Sequence, residues 1–101
     1  MQYLGKTMRR AARRDDNEKQ IIDALRRCGA YVKAINDEGT FDLLVAYNNR
    51  TFLLEVKDGS KVPSARKLTE AEQKFHDEWP NDNLFVVNSV DEALALLISA
   101  V

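Results

Sequence analysis

Apolar and polar positions along the chain fall into three rhythms. From about Asp15 to Cys28, Ile21, Ile22, Leu25 and Cys28 recur at helical spacing and predict a first helix that stops at Gly29. Asp15 followed three residues later by Glu18 has the form of a capping box. Ala30 to Ile35 alternates apolar with polar and predicts a strand, and Asn36 to Gly39 is a polar turn. Two further apolar runs, Phe41 to Tyr47 and Thr51 to Val56, flank Asn48-Asn49. Asparagine tolerates the left-handed backbone that a two-residue hairpin turn needs, so the pair predicts a β-hairpin.

Beyond Lys57, Asp58-Gly59 signals a turn, and Ser60 to Leu68 reads as a loop. Thr69 and Glu72 form a second capping box, opening a helix that ends near Trp79 because Pro80 disfavours helical geometry before it. Phe75 and Trp79, four apart, are expected to face the core, with Ala71 or Leu68 beside them. Asn81 to Asn83 is a turn, and the continuously apolar Leu84 to Val87 predicts a short buried strand. Ser89 and Glu92 make a third capping box before a last helix over about Val90 to Ala100. Its expected stripe is Ala93, Leu94, Leu97, Ile98 and Val101.

The resulting order is αβββαβ(α). An antiparallel hairpin followed by a strand–helix–strand unit, whose crossover can be parallel and right-handed, calls for a mixed α/β fold. The expected architecture is a central four-stranded mixed sheet flanked by helices. At 101 residues, 45% hydrophobic and 31% charged, the chain suits one soluble domain with its own core. Cys28 is the only cysteine, so no internal disulfide can form and a reducing compartment is expected. No apolar run approaches the ~20 residues that span a bilayer, and no secretory signal opens the chain. An intracellular, cytoplasmic protein is expected.

Charge divides the chain in two. Residues 1–14 hold five basic side chains, Lys6, Arg9, Arg10, Arg13 and Arg14, and no acid; residues 15–101 therefore carry −6 against an overall −1. Such an arm either contacts nucleic-acid phosphates or is a solvated tail. The Ser60–Leu68 loop adds Lys61, Arg66 and Lys67, again either a phosphate-binding loop or an ordinary exposed one.

The hairpin carries the candidate chemistry. With Asn48-Asn49 as the turn, Tyr47 faces Arg50, and the same register sets Asp42 across from Glu55, with Cβ atoms roughly 4.5–5.5 Å apart. Lys57, two residues on, shares their face. Like charges across a ladder repel, and the arrangement is tolerated when a cation lies between the carboxylates or one of them stays protonated. A divalent ion held by two carboxylates and waters suits phosphoryl chemistry, and a nearby amine can orient or deprotonate an attacking water. Glu18 is either a helix cap or a third carboxylate. His76 has no second His or Cys nearby and is expected to be structural or superficial.

An acid on the first helix, then Asp42, then Glu55-Val56-Lys57, then a helix with Gln73, resembles the PD-(D/E)XK nuclease superfamily, particularly its small VRR-NUC type members common in phages. The similarity covers residues 15–98. It implies a restriction-endonuclease-like core and a Mg²⁺- or Mn²⁺-dependent endonuclease acting on DNA. Asp42, Glu55 and the Val56 carbonyl would ligate the metal, Lys57 would position water, Glu18 would complete the metal site, and Gln73 would line it. The resemblance further implies DNA contacts from Arg9, Arg10, Arg13, Arg14, Lys61, Arg66 and Lys67, a homodimer, a preference for branched DNA such as four-way junctions, and a phage-encoded protein. A DNA-binding protein on the same fold without activity is the alternative. Phe41 stands where the family usually has proline.

Overall fold

The computed structural model describes residues 16–99. Its elements are α1 (Glu18–Arg27), β1 (Tyr31–Ala34), β2 (Leu43–Tyr47), β3 (Arg50–Val56), a 3₁₀ turn (Pro63–Arg66), α2 (Glu70–Glu78), β4 (Leu84–Val87) and α3 (Val90–Ser99). The four strands form one mixed sheet in the order β1-β2-β3-β4, antiparallel except for the parallel β3–β4 pair. The expected α/β class and element order are therefore present. The basic arm, residues 1–14, lies outside the described residues, as do Asp15 and Val101.

The hairpin turns where its sequence demands. Asn48 and Asn49 both have positive φ, 53° and 63°, as a turn compatible with the right-handed strand twist requires. From there the pairs run Tyr47–Arg50, Val45–Phe52 and Leu43–Leu54. Alternation then places Val45, Leu43, Phe52, Leu54 and Val56 on one face, where they meet Ile21 and Leu25 of α1 and Ala93 and Leu97 of α3. Each such side chain taken fully from water contributes about 1.5–3 kcal/mol.

Four expectations about the helices and the last strand need correction. Helix α1 begins at Glu18 with Asn17 at its cap, so Glu18 is the first helical residue rather than the partner in a capping box. Cys28, the C-cap residue past Arg27, is exposed instead of buried. Ile98 is 73% exposed; α3 buries the four-residue pair Ala93 and Leu97, and the next residue turns about 100° away from that stripe. Strand β4 is a sheet edge, so only Val87 of its four apolar residues is fully buried.

Helix α2 is held differently from the other two. None of its residues is fully buried. Phe75 does not enter the core; it stacks on Phe41 with ring centroids 6.1 Å apart and lies 5.5 Å from the Trp79 ring. Trp79 donates its indole N–H to Asn83 Oδ1 at 2.8 Å. Gly39, at φ +86°, passes so close to the helix that a Cβ there would sit 3.1 Å from the Cβ of Ala71. The complete Thr69–Glu72 capping box fixes the first turn.

Candidate active site

The ladder register stops one pair short of the two acids. Leu43 is paired with Leu54, yet Asp42 also sends its N–H to the Leu54 carbonyl at 2.9 Å. Two residues of one strand thus answer one of the other, as at a β-bulge. Asp42 is consequently not in strict register with Glu55, which corrects the expected pairing. The carboxylates still meet. Asp42 Oδ2 accepts the Val56 N–H at 2.8 Å, and the Glu55 carboxyl hydrogen-bonds to Asp42. Asp42 here does with its side chain what a ladder partner does with a carbonyl.

Glu55 is 3% exposed. Burial, and then the charges of Asp42 and Glu72, push its carboxyl up to about 9. Burial also raises Asp42, against the opposing hydrogen bonds from Val56 and Glu55. Glu55 is the more deeply enclosed of the two, Asp42 being half-buried. Lys57 Nζ lies 3.5 Å from Glu55 Oε2 and 3.0 Å from Glu72 Oε1.

Glu72 is the residue that sequence reasoning missed. The sequence places it in the helix cap alone, and it does cap: its Oε1 accepts the Thr69 N–H at 2.9 Å. The same oxygen accepts from Lys57, and the carboxylate is an alternative acceptor to Asp42 for the one Glu55 proton. Burial would raise its pKa, but the hydrogen bonds from Thr69, Lys57 and Glu55 outweigh it and hold Glu72 low, as a carboxylate. The available signal was its place at the start of a helix directly following the basic loop. Gln73, expected in the site, is one residue around the helix; it is exposed and donates to Asp77 Oδ1 at 2.9 Å.

Other expected residues distribute as follows. Glu18 is buried at the start of α1. The adjacent Asn17 amide donates to the carbonyls of Lys57 and Asn88, each at 3.0 Å, so α1 starts at the carboxyl ends of β3 and β4. Among the described residues, no group of three or more His, Cys, Asp and Glu side chains is arranged to hold a metal ion. Val56, expected to offer its carbonyl, is joined to Asp42 through its N–H. Lys61 and Lys67 are exposed, while Arg66 is half-buried and donates to the Lys61 carbonyl at 2.9 Å. Arg9, Arg10, Arg13 and Arg14 lie outside the described residues. His76 is half-buried, with an enclosed Nε2 that has no hydrogen-bond partner among the described residues, and burial lowers its pKa.

Asp42 and Glu55 offer oxygen donors of the kind a hard divalent cation takes, two side chains rather than three. Two adjacent carboxyls with raised pKa values are a place where a divalent charge can replace a proton. Mg²⁺ in particular is commonly bound by one or two carboxylates, with waters and substrate phosphates completing its shell. Phe41, in the position where the resemblance calls for proline, does something proline would not: its stack on Phe75 ties the start of β2 to the helix that carries Glu72. A cleft of about 500 Å³ lined by Asn17, Asp58, Ser60, Arg66, Ser89 and Glu92 includes neither Asp42 nor Glu55.

No family model, no curated protein and no solved structure matches this chain. Among the described residues, no helix is long and apolar enough to cross a membrane.

Proposed function

We propose that the protein is a metal-dependent DNA endonuclease of PD-(D/E)XK type, with the mixed sheet as its nuclease core. The observation that carries the reading is the buried Glu55 carboxyl, hydrogen-bonded to Asp42 and 3.5 Å from the Lys57 ammonium. Buried ionisable groups with strongly shifted pKa values gather at functional sites. Here two acids and an amine are brought together by a hairpin that could have been built from apolar residues alone.

Asp42 and Glu55 would hold Mg²⁺ or Mn²⁺, with Val56 offering its carbonyl as a third protein ligand. Bound there, the ion would supply Lewis acidity to the phosphodiester and lower the pKa of water. In the hydrolysis, a water oxygen forms a bond to phosphorus and one phosphorus–oxygen ester bond breaks, the departing oxygen leaving protonated. Lys57, paired with the Glu72 carboxylate and beside Glu55, acts as an ammonium that orients the water and steadies charge developing on the phosphoryl oxygens. The basic residues Lys61, Arg66 and Lys67, with the arm, would follow the DNA backbone. Action on branched DNA as a homodimer, in the cytoplasm of a phage-infected host, belongs to the same proposal.

The test is a cleavage assay on duplex, single-stranded, flap and four-way-junction DNA with Mg²⁺, Mn²⁺ or EDTA. Cleavage that needs the metal and is abolished by Asp42→Ala and Lys57→Ala is expected. Cleavage unaffected by EDTA, or retained at the wild-type rate by either variant, would reject the assignment. DNA binding without cleavage would favour the inactive alternative.

A further inference from the structure

We propose that Glu72 is a positioning residue: its carboxylate holds the Lys57 ammonium in place for the hydrolysis, an assignment that rests on the nuclease reading above. Lys57 follows the last residue of β3 on a side chain with four rotatable bonds, and aiming such an amine requires a partner fixed on something other than its own strand. Glu55 lies at 3.5 Å and Glu72 at 3.0 Å. Glu55 sits two residues away on the same chain segment and is the group the reaction needs for its cation. Glu72 is the partner from elsewhere in the fold.

Glu72 is itself held at several points. One oxygen, Oε1, receives both the Thr69 N–H and the Lys57 ammonium, so the capping box fixes the atom that the lysine meets. The helix N-terminus stabilises negative charge at this position. The helix is located on the hairpin by the Phe41–Phe75 stack and by Ala71 against Gly39. Ala71, Glu72 and Phe75 thus bring α2 to the turn and strand start preceding Asp42 and to the lysine following β3. A carboxylate whose only task was capping would not need to be only 15% exposed and shared with a buried lysine.

The variant to make is Glu72→Gln, whose amide oxygen still accepts the Thr69 N–H but carries no charge. Two measurements are paired. With wild-type protein and its best DNA substrate in Mn²⁺, the variant is expected to lose about 10- to 100-fold in kcat with KM changed less than about threefold, the pattern of a misaimed catalytic group. Without metal or DNA, the ¹⁵N-labelled Lys57 ammonium signal, slowed in exchange by its ion pair, is expected to broaden or vanish in the variant. Equal kcat in variant and wild type, or an unchanged Lys57 signal, overturns the proposal while leaving the nuclease reading intact. A wild-type protein that cuts no DNA with any metal removes the nuclease reading and this proposal with it.

Discussion

Asp42 reaches across the hairpin to the Val56 N–H at 2.8 Å, closing with a carboxylate a ladder that the backbone leaves open. The bulge that sends the Asp42 N–H to Leu54 would alone have separated the two acids. The side chain restores the contact and sets a negative charge beside Glu55. Burial, with the charges of Asp42 and Glu72 added, pushes the Glu55 carboxyl up to about 9, a neutral acid at pH 7 in the metal-free protein, and several measurable consequences stem from that.

Stability of the metal-free protein should fall as pH rises. The Glu55 pKa is raised from 4.5 in the unfolded chain to about 9 in the fold. Its contribution is therefore fully present below pH 4.5 and is lost as pH climbs through 9. Glu55→Gln keeps the shape and removes the titration. At pH 8.5 the variant is expected to exceed wild type by about 1 kcal/mol or more, a Tm gain of about 4–8 °C for a domain of this size. At pH 4.5 the two should converge. Parallel Tm profiles would contradict the burial of a neutral Glu55.

Metal binding should release protons. If a divalent ion replaces the proton on Glu55, calorimetric titration with Mn²⁺ at pH 7 in buffers of different ionisation enthalpy should report close to one proton released. Affinity should rise with pH between 6 and 8. Glu55→Gln should abolish both effects. Binding without proton release would place the ion elsewhere.

Asn17 is expected to be a large single contributor outside the core. Its amide donates to the carbonyls of Lys57 and Asn88, and Asn17→Ala leaves both acceptors without that donor, at a cost of about 1–3 kcal/mol. Asn17→Asp, which matches the shape but has no hydrogen to donate, should not recover it. Urea unfolding of the two variants provides the comparison, and recovery by Asp would refute the bonding assigned.

Two glycines should respond for different reasons. A Cβ on Gly59 would lie 2.8 Å from the Asn88 carbonyl oxygen, a backbone atom with little room to move, so Gly59→Ala should cost about 1–3 kcal/mol by overpacking. Gly29 has open space but φ +92°; Gly29→Ala should cost about 1 kcal/mol through backbone strain alone. Replacing Gly29 by Asn should recover part of that loss, whereas Gly59→Asn should not. Chemical denaturation would separate the cases.

Much of the fold was legible because its signals are local. The Asn48-Asn49 turn fixes the hairpin register through the positive φ of two adjacent residues, and alternation then assigns Leu43, Val45, Phe52 and Leu54 to the core. The bulge at Asp42 was not legible, because it depends on where β1 lets go: the Ile35 and Asn36 N–H groups both bond to the Asp42 carbonyl. Phe75 and Trp79 misled because four-residue spacing names a shared face without saying what lies opposite. Glu72 and Gln73 differ by about 100° around one helix, and the packing of Phe75 on Phe41 and of Ala71 on Gly39 decides which is turned to Lys57.

The shallow seating of α2 has a consequence for how the site is maintained. Glu55 belongs to, and Asp42 and Lys57 directly adjoin, strands of a sheet whose opening requires loss of the core, whereas Glu72 rides on a helix with no fully buried residue. Segments with little burial open at a lower free energy than the whole domain, and their amides exchange with solvent hydrogen sooner. The pair that would receive a cation is thus part of the most protected unit, and the carboxylate that steadies the lysine is part of a less protected one. On the nuclease reading proposed above, affinity for metal and alignment of the amine would accordingly be two separately adjustable properties, one set by the hairpin and the other by an aromatic stack.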